Sequence, residues 1–429
     1  MGLYLSDYRA ALDALFARTT GESRLGLERT TALLAELGNP HHALRCFHIA
    51  GTNGKGSVAA MLAALLRHRG HRAGVYTSPH LVDFRERIAV NGAQIPPDEV
   101  VDFIARTEAI VGRTGATFFE VTTVMALAWF ARASVDVAVL ETGLGGRLDA
   151  TNVVTPVVAG VTSIGLDHRE YLGDTLEQIA LEKAGIFKPG VPAVIGESDA
   201  NIRRLLAERA LAIGARPVRV VADESPPADI EVAASGTSFT LSINGESAHM
   251  FTSLVGPHQA WNAAVTLAML SAAGPEFALA PHDAAAPLRA VTLPGRFQRL
   301  GPYIFDVAHN RDGAATLAAT VAMVAPARPI AVVLCVLADK DWRGMIRDLA
   351  AQSDRFIMTN APTAPASRAW NAANAVAFAR DEGYVVELEP ELARALERAR
   401  WAGGTVLVTG SFHTVGDALT CLQAAPAVG

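Results

Sequence analysis

Two textures alternate along the chain. Short apolar runs of strand length include CFHIA (46–50), RAGVYTS (72–78), VDVAVLET (135–142), PVVAGVTSI (156–164) and PAVIG (192–196). Between them lie stretches of helical spacing at Ser57–Arg69, Pro97–Gly112, Thr175–Gly185 and Ala200–Ile213. Strand, helix, strand in regular succession predicts a mostly parallel sheet covered by helices on both faces. Between Asp229 and Leu254 the pattern changes to strict alternation around Asn244-Gly245, a hairpin signal, because that pair supplies the positive φ angles of a tight turn. A helix over His258–Ala273 and the Pro- and Ala-rich PHDAAAPLRAVTLPGR follow. From Tyr303 a second strand series begins, with YIFDVA, PIAVVLCVL, DRFIMTN, GYVVELE and TVLVTG each separated by a helical stretch. The break falls near Pro294–Arg296 and predicts two α/β domains, 1–295 and a smaller 296–429. Ligands of such sheets lie beyond the carboxyl ends of the strands, so the cleft between the domains is where chemistry is to be sought.

Composition agrees with two well-buried cores. Of 429 residues, 50% are hydrophobic and 19% charged, with a formal net charge of −6 and a mean hydropathy of +0.24. Acids and bases are scattered with no polybasic run, which argues against a nucleic-acid partner. Cys46, Cys335 and Cys421 form no C-x-x-C pair and read as buried thiols of a reducing compartment. The N-terminus lacks a basic region followed by an apolar core, and the most apolar window, VTTVMALAWFA from Val121, is too short for a membrane span. The expectation is a soluble, cytoplasmic, monomeric enzyme of small-molecule substrates with no membrane partner.

Four segments carry candidate chemistry. The first, HIAGTNGKGSV (48–58), joins an apolar strand to a helix through a glycine turn that is two residues shorter than the ordinary P-loop before its Gly-Lys. Glycines there let backbone N–H groups close on phosphate oxygens, Lys55 adds a point charge, and Ser57 opens the helix beside a magnesium ion. This makes the first domain a P-loop unit and the second a Rossmann-like one. The second segment, VDVAVLETGLGGRLDATN (135–152), sets Glu141 at a strand end before a glycine cluster, where a magnesium ligand belongs, with Arg147 and Asp149 beyond it. The third, VTSIGLDHREYLG (161–173), presents Asp167 and His168 after a parallel strand, and EKAGIFKPG offers Lys183 at an apolar helix end. A buried lysine either packs or pairs structurally, or loses its proton and reacts with CO2 to give an anionic carbamate. The fourth group is spread over GPHQAWNAA (His258, Asn262), TLPGRFQ (Arg296) and FDVAHNRDG (Asp306, His309, Asn310). An arginine at the hinge reaches phosphates when the domains close, and a strand-end Asp or Asn can hold ribose or base.

In order, the motifs LGLERT, GTNGKGS, YTSPHL, ERIAVNG, FFEVTT, ETGLGGRLDATN, TSIGLDH, EKAGIFK, LPGRF, FDVAHN, LADKD and GSFHTV span nearly the whole chain. Together they resemble the dihydrofolate synthase/folylpolyglutamate synthase family, a branch of the Mur ligases. The resemblance implies an ATP-dependent ligase that joins L-glutamate to dihydropteroate, to tetrahydrofolate, or to both. It implies that Thr52, Asn53, Gly54, Lys55, Gly56 and Ser57 hold the ATP phosphates and that Asn262, Arg296 and Asp306 reach ATP across the cleft. Ser57, Ser78, Glu141, His168 and a carboxylated Lys183 would hold two magnesium ions. Leu25, Gly26, Thr117, Phe118, Phe119, Glu120, Leu148, Asp149 and Ala150 would form the pteroate pocket. Lys55, Lys183, His309 and Asp306 would be catalytic, the last two assisting deprotonation of the glutamate amine. Two positions depart from the family pattern: Arg24 stands where an Asp is common, and Arg311 where a proline follows FDVAHN. A UDP-sugar ligase would need more chain before the loop, and a GTPase switch would need an N-K-x-D motif, which is absent.

Overall fold

The computed structural model describes residues 2–17 and 24–422. Its first sheet is built on β1 (Cys46–Ala50), β2 (Ala73–Tyr76), β3 (Ile88–Val90), β4 (Ala93–Gln94), β5 (Val137–Glu141), β6 (Val158–Val161), β7 (Ala193–Ile195) and β8 (Val218–Val220), in the order β4-β3-β2-β5-β1-β6-β7-β8. From β2 to β8 all pairings are parallel, and only β3 and β4 run antiparallel at one edge. Every residue of β1, β5 and β6 is buried. Helices cover both faces, so the interior strands read as unbroken apolar runs and not as alternations. β1 lies between β5 and β6, where the order reverses, and the glycine turn leaves its carboxyl end.

The alternating segment forms an antiparallel sheet of β9 (Ala228–Ala233), β10 (Gly236–Ile243) and β11 (Glu246–Thr252). Its hairpin turns at Asn244 (φ 52°) and Gly245 (φ 84°), as the Asn-Gly pair predicts. The helix Pro257–Ala272 packs on β10, and the Pro- and Ala-rich stretch folds into the helix Pro281–Arg289 against β11.

A third sheet follows. It comprises β12 (Gln298–Leu300), β13 (Tyr303–Phe305), β14 (Ile330–Leu334), β15 (Arg355–Met358), β16 (Val386–Leu388) and β17 (Thr405–Thr409), in the order β12-β13-β17-β14-β15-β16. All of its pairings are parallel except β12 with β13. The helix Phe118–Arg132 contains the apolar window flagged in the sequence and packs against β2 and the helix Glu28–Glu36. Among the described residues no helix is long and apolar enough to cross a membrane. Cys46 and Cys335 are buried, but Cys421 is exposed, because it closes the helix Phe412–Cys421 at the surface.

Candidate active site

A cleft of about 1700 Å³ lies between the first and third sheets. It is lined by the residues expected to hold nucleotide phosphates, metal and pteroate, whereas Arg147 pairs with Glu182 (2.8 Å) outside it and Asn310 is engaged with Asp167 and the Gly313 N–H. Strand order explains the convergence. The turns after β1, β5 and β6 deliver Thr52–Ser57, Glu141 and Asp167–His168 from one side, and the turns after β13 and β17 deliver Asp306–His309 and Ser411–Phe412 from the other.

The glycine turn is held open by its neighbours. Gly54 has φ 91°, and a Cβ there would lie 2.6 Å from the Asn262 amide oxygen, so neither the backbone angle nor the space admits a side chain. The Thr52 hydroxyl accepts from the Gly165 N–H (2.9 Å) and donates to its carbonyl (3.2 Å). Lys55 Nζ donates to the Gly51 (2.9 Å) and Thr52 (3.2 Å) carbonyls and stands 3.9 Å from the Glu141 carboxylate. Ser57 is buried on the helix Lys55–His68. That helix points its N-terminus at the turn, the arrangement that favours a phosphate.

Glu141 is 4% exposed and accepts only a long bond from the Ser78 N–H (3.4 Å). Burial pushes its carboxyl above the ordinary range, against the pull of Lys55 and Arg296. A buried carboxylate with spare lone pairs is suited to a hard divalent cation. Lys183 is also buried and donates to the Gly51 carbonyl (2.9 Å). Burial, with Lys55 nearby, lowers its pKa to about 7. His168 lies in the left-handed region (φ 51°), and burial followed by Lys340 lowers its pKa to about 3, so its ring is neutral near pH 7 with a lone pair to offer. Among the described residues no three His, Cys, Asp or Glu side chains cluster as a metal cage. Glu141 and His168 are the two side chains of that kind whose environment leaves a lone pair to offer, and the Ser57 and Ser78 hydroxyls line the same cleft.

From the other side, Arg296 is half-buried, and its guanidinium lies 5.3 Å from the Phe412 ring centre. A Cβ on Gly56 would sit 3.8 Å from Arg296 Nη2 and 3.9 Å from Glu141 Oε2, which places all three at one point. Asp306 is committed locally, accepting from the Phe297 N–H and the Ala308 N–H (both 2.9 Å). It thereby fixes the hinge beside Arg296. His309 donates through Nδ1 to the Val307 carbonyl (2.9 Å), leaving Nε2 3.6 Å from Asp167. Burial lowers its pKa to about 4.

The residues expected around pteroate divide in two. Phe118 stacks on Phe16 (centroids 5.2 Å apart, 18° between planes), and Phe119 packs on Tyr76, giving an aromatic wall. Leu25, Gly26, Leu148 and Ala150 line the same part of the cleft, and the Gly26 N–H donates weakly to the Leu148 carbonyl (3.4 Å). Glu120, by contrast, is paired with Arg29 (3.0 and 2.9 Å) and forms a capping box with Thr117. Asp149 accepts from the Gly143, Leu144 and Thr151 N–H groups, so it braces the glycine cluster. Arg24 is exposed, and its carbonyl accepts from Arg29 (3.0 Å). Arg311 opens the helix Arg311–Val324, which Asn310 caps, and pairs with Asp348 (3.3 Å), so the helix start survives without proline.

Lys340 carries no role in the sequence reading, although LADKD is among its motifs. It forms a buried ion pair with Asp167 and approaches His168 Nε2 (3.5 Å). Burial alone would raise the Asp167 carboxyl, but His168, Lys340 and His309 hold it well below the usual carboxylate range. The Asn53 and Asn310 amides exchange hydrogen bonds of 3.3 and 3.2 Å, and Asn310 also donates to Asp167 (3.2 Å). These contacts tie the two sides together across the cleft.

With this geometry in place, similarity to known proteins is specific. Residues 49–270 match the Mur ligase middle domain and residues 295–412 the Mur ligase glutamate ligase domain. A dihydrofolate synthase/folylpolyglutamate synthase of Bacillus subtilis is 32% identical over 96% of this chain and 98% of its own length. A probable bifunctional folylpolyglutamate synthase/dihydropteroate synthase of Haloferax volcanii is 34% identical over 96% of this chain, which spans 50% of that longer protein. The Mycobacterium tuberculosis folylpolyglutamate synthase complexed with ADP superposes with a TM-score of 0.90 at 34% identity, covering 99% of this chain and 100% of that one. A bifunctional folylpolyglutamate synthase/dihydrofolate synthase with Mn, AMPPNP and L-glutamate bound gives a TM-score of 0.82 at 33% identity, covering 96% and 98%. The chain belongs to the dihydrofolate synthase/folylpolyglutamate synthase family of Mur ligases.

Proposed function

We propose that the chain couples ATP cleavage to amide formation between L-glutamate and a pteroate-type carboxylic acid, either dihydropteroate or a tetrahydrofolate. The observation that carries this reading is the meeting of Lys55, Glu141, Lys183 and Arg296 at the glycine turn, in a cleft that Phe118 and Phe119 also line. The relatives bind ADP in one case and Mn, AMPPNP and L-glutamate in the other, which matches the classes of ligand this cleft would take. Residues 1–295 would supply the phosphate cradle and acid pocket, and residues 296–429 the side from which glutamate arrives.

A carboxylate is a poor acyl donor because oxide must leave. Transfer of the γ-phosphoryl group to its oxygen breaks the terminal phosphoanhydride bond, releases ADP and gives an acyl phosphate. The glutamate nitrogen then forms the amide bond as inorganic phosphate leaves, and the amine gives up a proton. Lys55 and Arg296 would neutralise charge on the transferring group, and the N–H groups of the turn would hold it in line. Magnesium, when bound by Ser57, Ser78, Glu141 and His168, supplies further charge neutralisation. Lys183, with its pKa near 7, would join this set as a carbamate, adding a negative charge for a second magnesium ion. His309, with a free Nε2 beside Asp167, is the better placed of the two suggested bases, since Asp306 is occupied by backbone N–H groups.

The test is ADP release with dihydropteroate and, in parallel, with tetrahydrofolate, each with and without L-glutamate. Glutamate-dependent release with either acid is the expected result, and Lys55→Ala and Glu141→Ala should each lower it by at least about 100-fold. GTP-selective hydrolysis indifferent to glutamate would refute the ligase reading.

A further inference from the structure

One cation in the cleft has no carboxylate in contact with it among the described residues. Arg87 ends the short 3-10 helix Phe84–Arg87 and is 7% exposed, yet it lines the cleft. Among the described residues it makes no ion pair, and its side chain has a single hydrogen bond, from Nε to His80 Nδ1 (2.8 Å). Of the neighbouring carboxylates, Glu86 accepts from the Leu81, Val82 and Asp83 N–H groups, Asp83 is held by Arg85 and Tyr8, and Glu141, whose charge reaches Arg87 without an ion pair, faces Lys55 (3.9 Å) and the Ser78 N–H (3.4 Å). His80 accepts from Arg87, so its ring is neutral and carries its proton on Nε2, and it offsets none of the charge. His80 is itself enclosed by Phe16 and Phe84 (centroids 6.2 Å from each). The guanidinium carbon lies 5.1 Å from the Phe118 ring centre, at the end of the aromatic wall.

A largely buried guanidinium whose terminal nitrogens face the cleft and make no hydrogen bond among the described residues gains from an anion there, and its planar fork matches a carboxylate. The reacting carboxyl already has Lys55, Arg296 and the metal ligands. We propose that Arg87, oriented by His80, anchors the second, non-reacting carboxylate of an acid that already carries a glutamyl residue. Dihydropteroate has no such group, whereas tetrahydrofolate has an α-carboxylate beside the γ-carboxylate that is extended. Arg87 is then a specificity residue, favouring acids that have already gained glutamate. This inference rests on the ligase reading above.

The experiment compares kcat/KM for dihydropteroate and for tetrahydrofolate in the wild type, Arg87→Gln and Arg87→Lys, with the α-carboxamide of tetrahydrofolate as a third acid. Loss of one partner of a desolvated charge pair shifts the ratio between the two acids against tetrahydrofolate by roughly 30-fold or more in Arg87→Gln, mainly through KM. Arg87→Lys recovers part of it. The α-carboxamide is a poor acid for the wild type and no worse than tetrahydrofolate for Arg87→Gln. Equal losses with dihydropteroate and tetrahydrofolate would overturn the proposal, as would wild-type indifference to the α-carboxamide or use of dihydropteroate alone. Failure of the wild type to release ADP with any acid would instead remove the ligase reading beneath it.

Discussion

Lys183 is a buried amine at the glycine turn. Burial takes its pKa from the usual 10.5 to about 7 while its Nζ holds the Gly51 carbonyl. In the unfolded chain the same amine stays charged to about pH 10. Between those values the unfolded state binds the extra proton, so stability rises with pH from 7 upward, and below 7 the cost of the buried charge is fully present. In bicarbonate-free buffer the wild-type melting temperature should therefore climb between pH 7 and 9 relative to Lys183→Met, as differential scanning calorimetry would show. With 13C-bicarbonate, the wild type alone should display a carbamate resonance. A parallel pH dependence in both proteins would remove the special status of this lysine. Little of this was legible in the residue itself: EKAGIFK places a lysine at an apolar helix end, but whether it packs, pairs or stays bare depends on what lies across from it. The structure supplies a carbonyl and no carboxylate within ion-pair reach among the described residues.

At the level of elements, the helix Phe118–Arg132 both lines the cleft and joins the scaffold. Its apolar residues surround the axis, because it is enclosed by β2 and the helix Glu28–Glu36, so the one-sided pattern of a surface helix is missing and the sequence reads only as an apolar window. Its first turn exposes Phe118 and Phe119 to the cleft while Glu120 turns back to Arg29 and the Thr117 N–H. FFEVTT, expected at the pteroate pocket, lines the cleft, but Glu120 is tied into the scaffold. Removing Arg29 strands a carboxylate that is 2% exposed. Arg29→Met should cost about 3 kcal/mol, measured as the shift in denaturant midpoint, whereas Arg29→Lys should recover part of it. An unchanged midpoint would show that Glu120 finds another partner. The positions of the main strands and of the Asn-Gly turn, by comparison, were legible because local turn chemistry and β-rich runs decide them, although runs such as PVVAGVTSI overshoot β6 and the short β3, β4, β8 and β12 carry too little apolar pattern to be read.

For the whole molecule, function lies in the seam. The first sheet brings the phosphate cradle and Glu141, and the third brings Arg296, Asp306 and His309. The Asn53–Asn310 pair and the Asp167–Lys340 ion pair join the two. Lys340 was missed because its meaning depends on a partner 173 positions away in the chain, which no local pattern encodes. The central claim is that this seam makes an acyl phosphate from a folate-type acid before glutamate attacks. The most direct measurement uses dihydropteroate or tetrahydrofolate labelled with 18O in the reacting carboxylate, and follows the label by mass spectrometry of the phosphate released with L-glutamate and ATP. The account predicts one labelled oxygen in each phosphate formed, and phosphate that carries no label would contradict it.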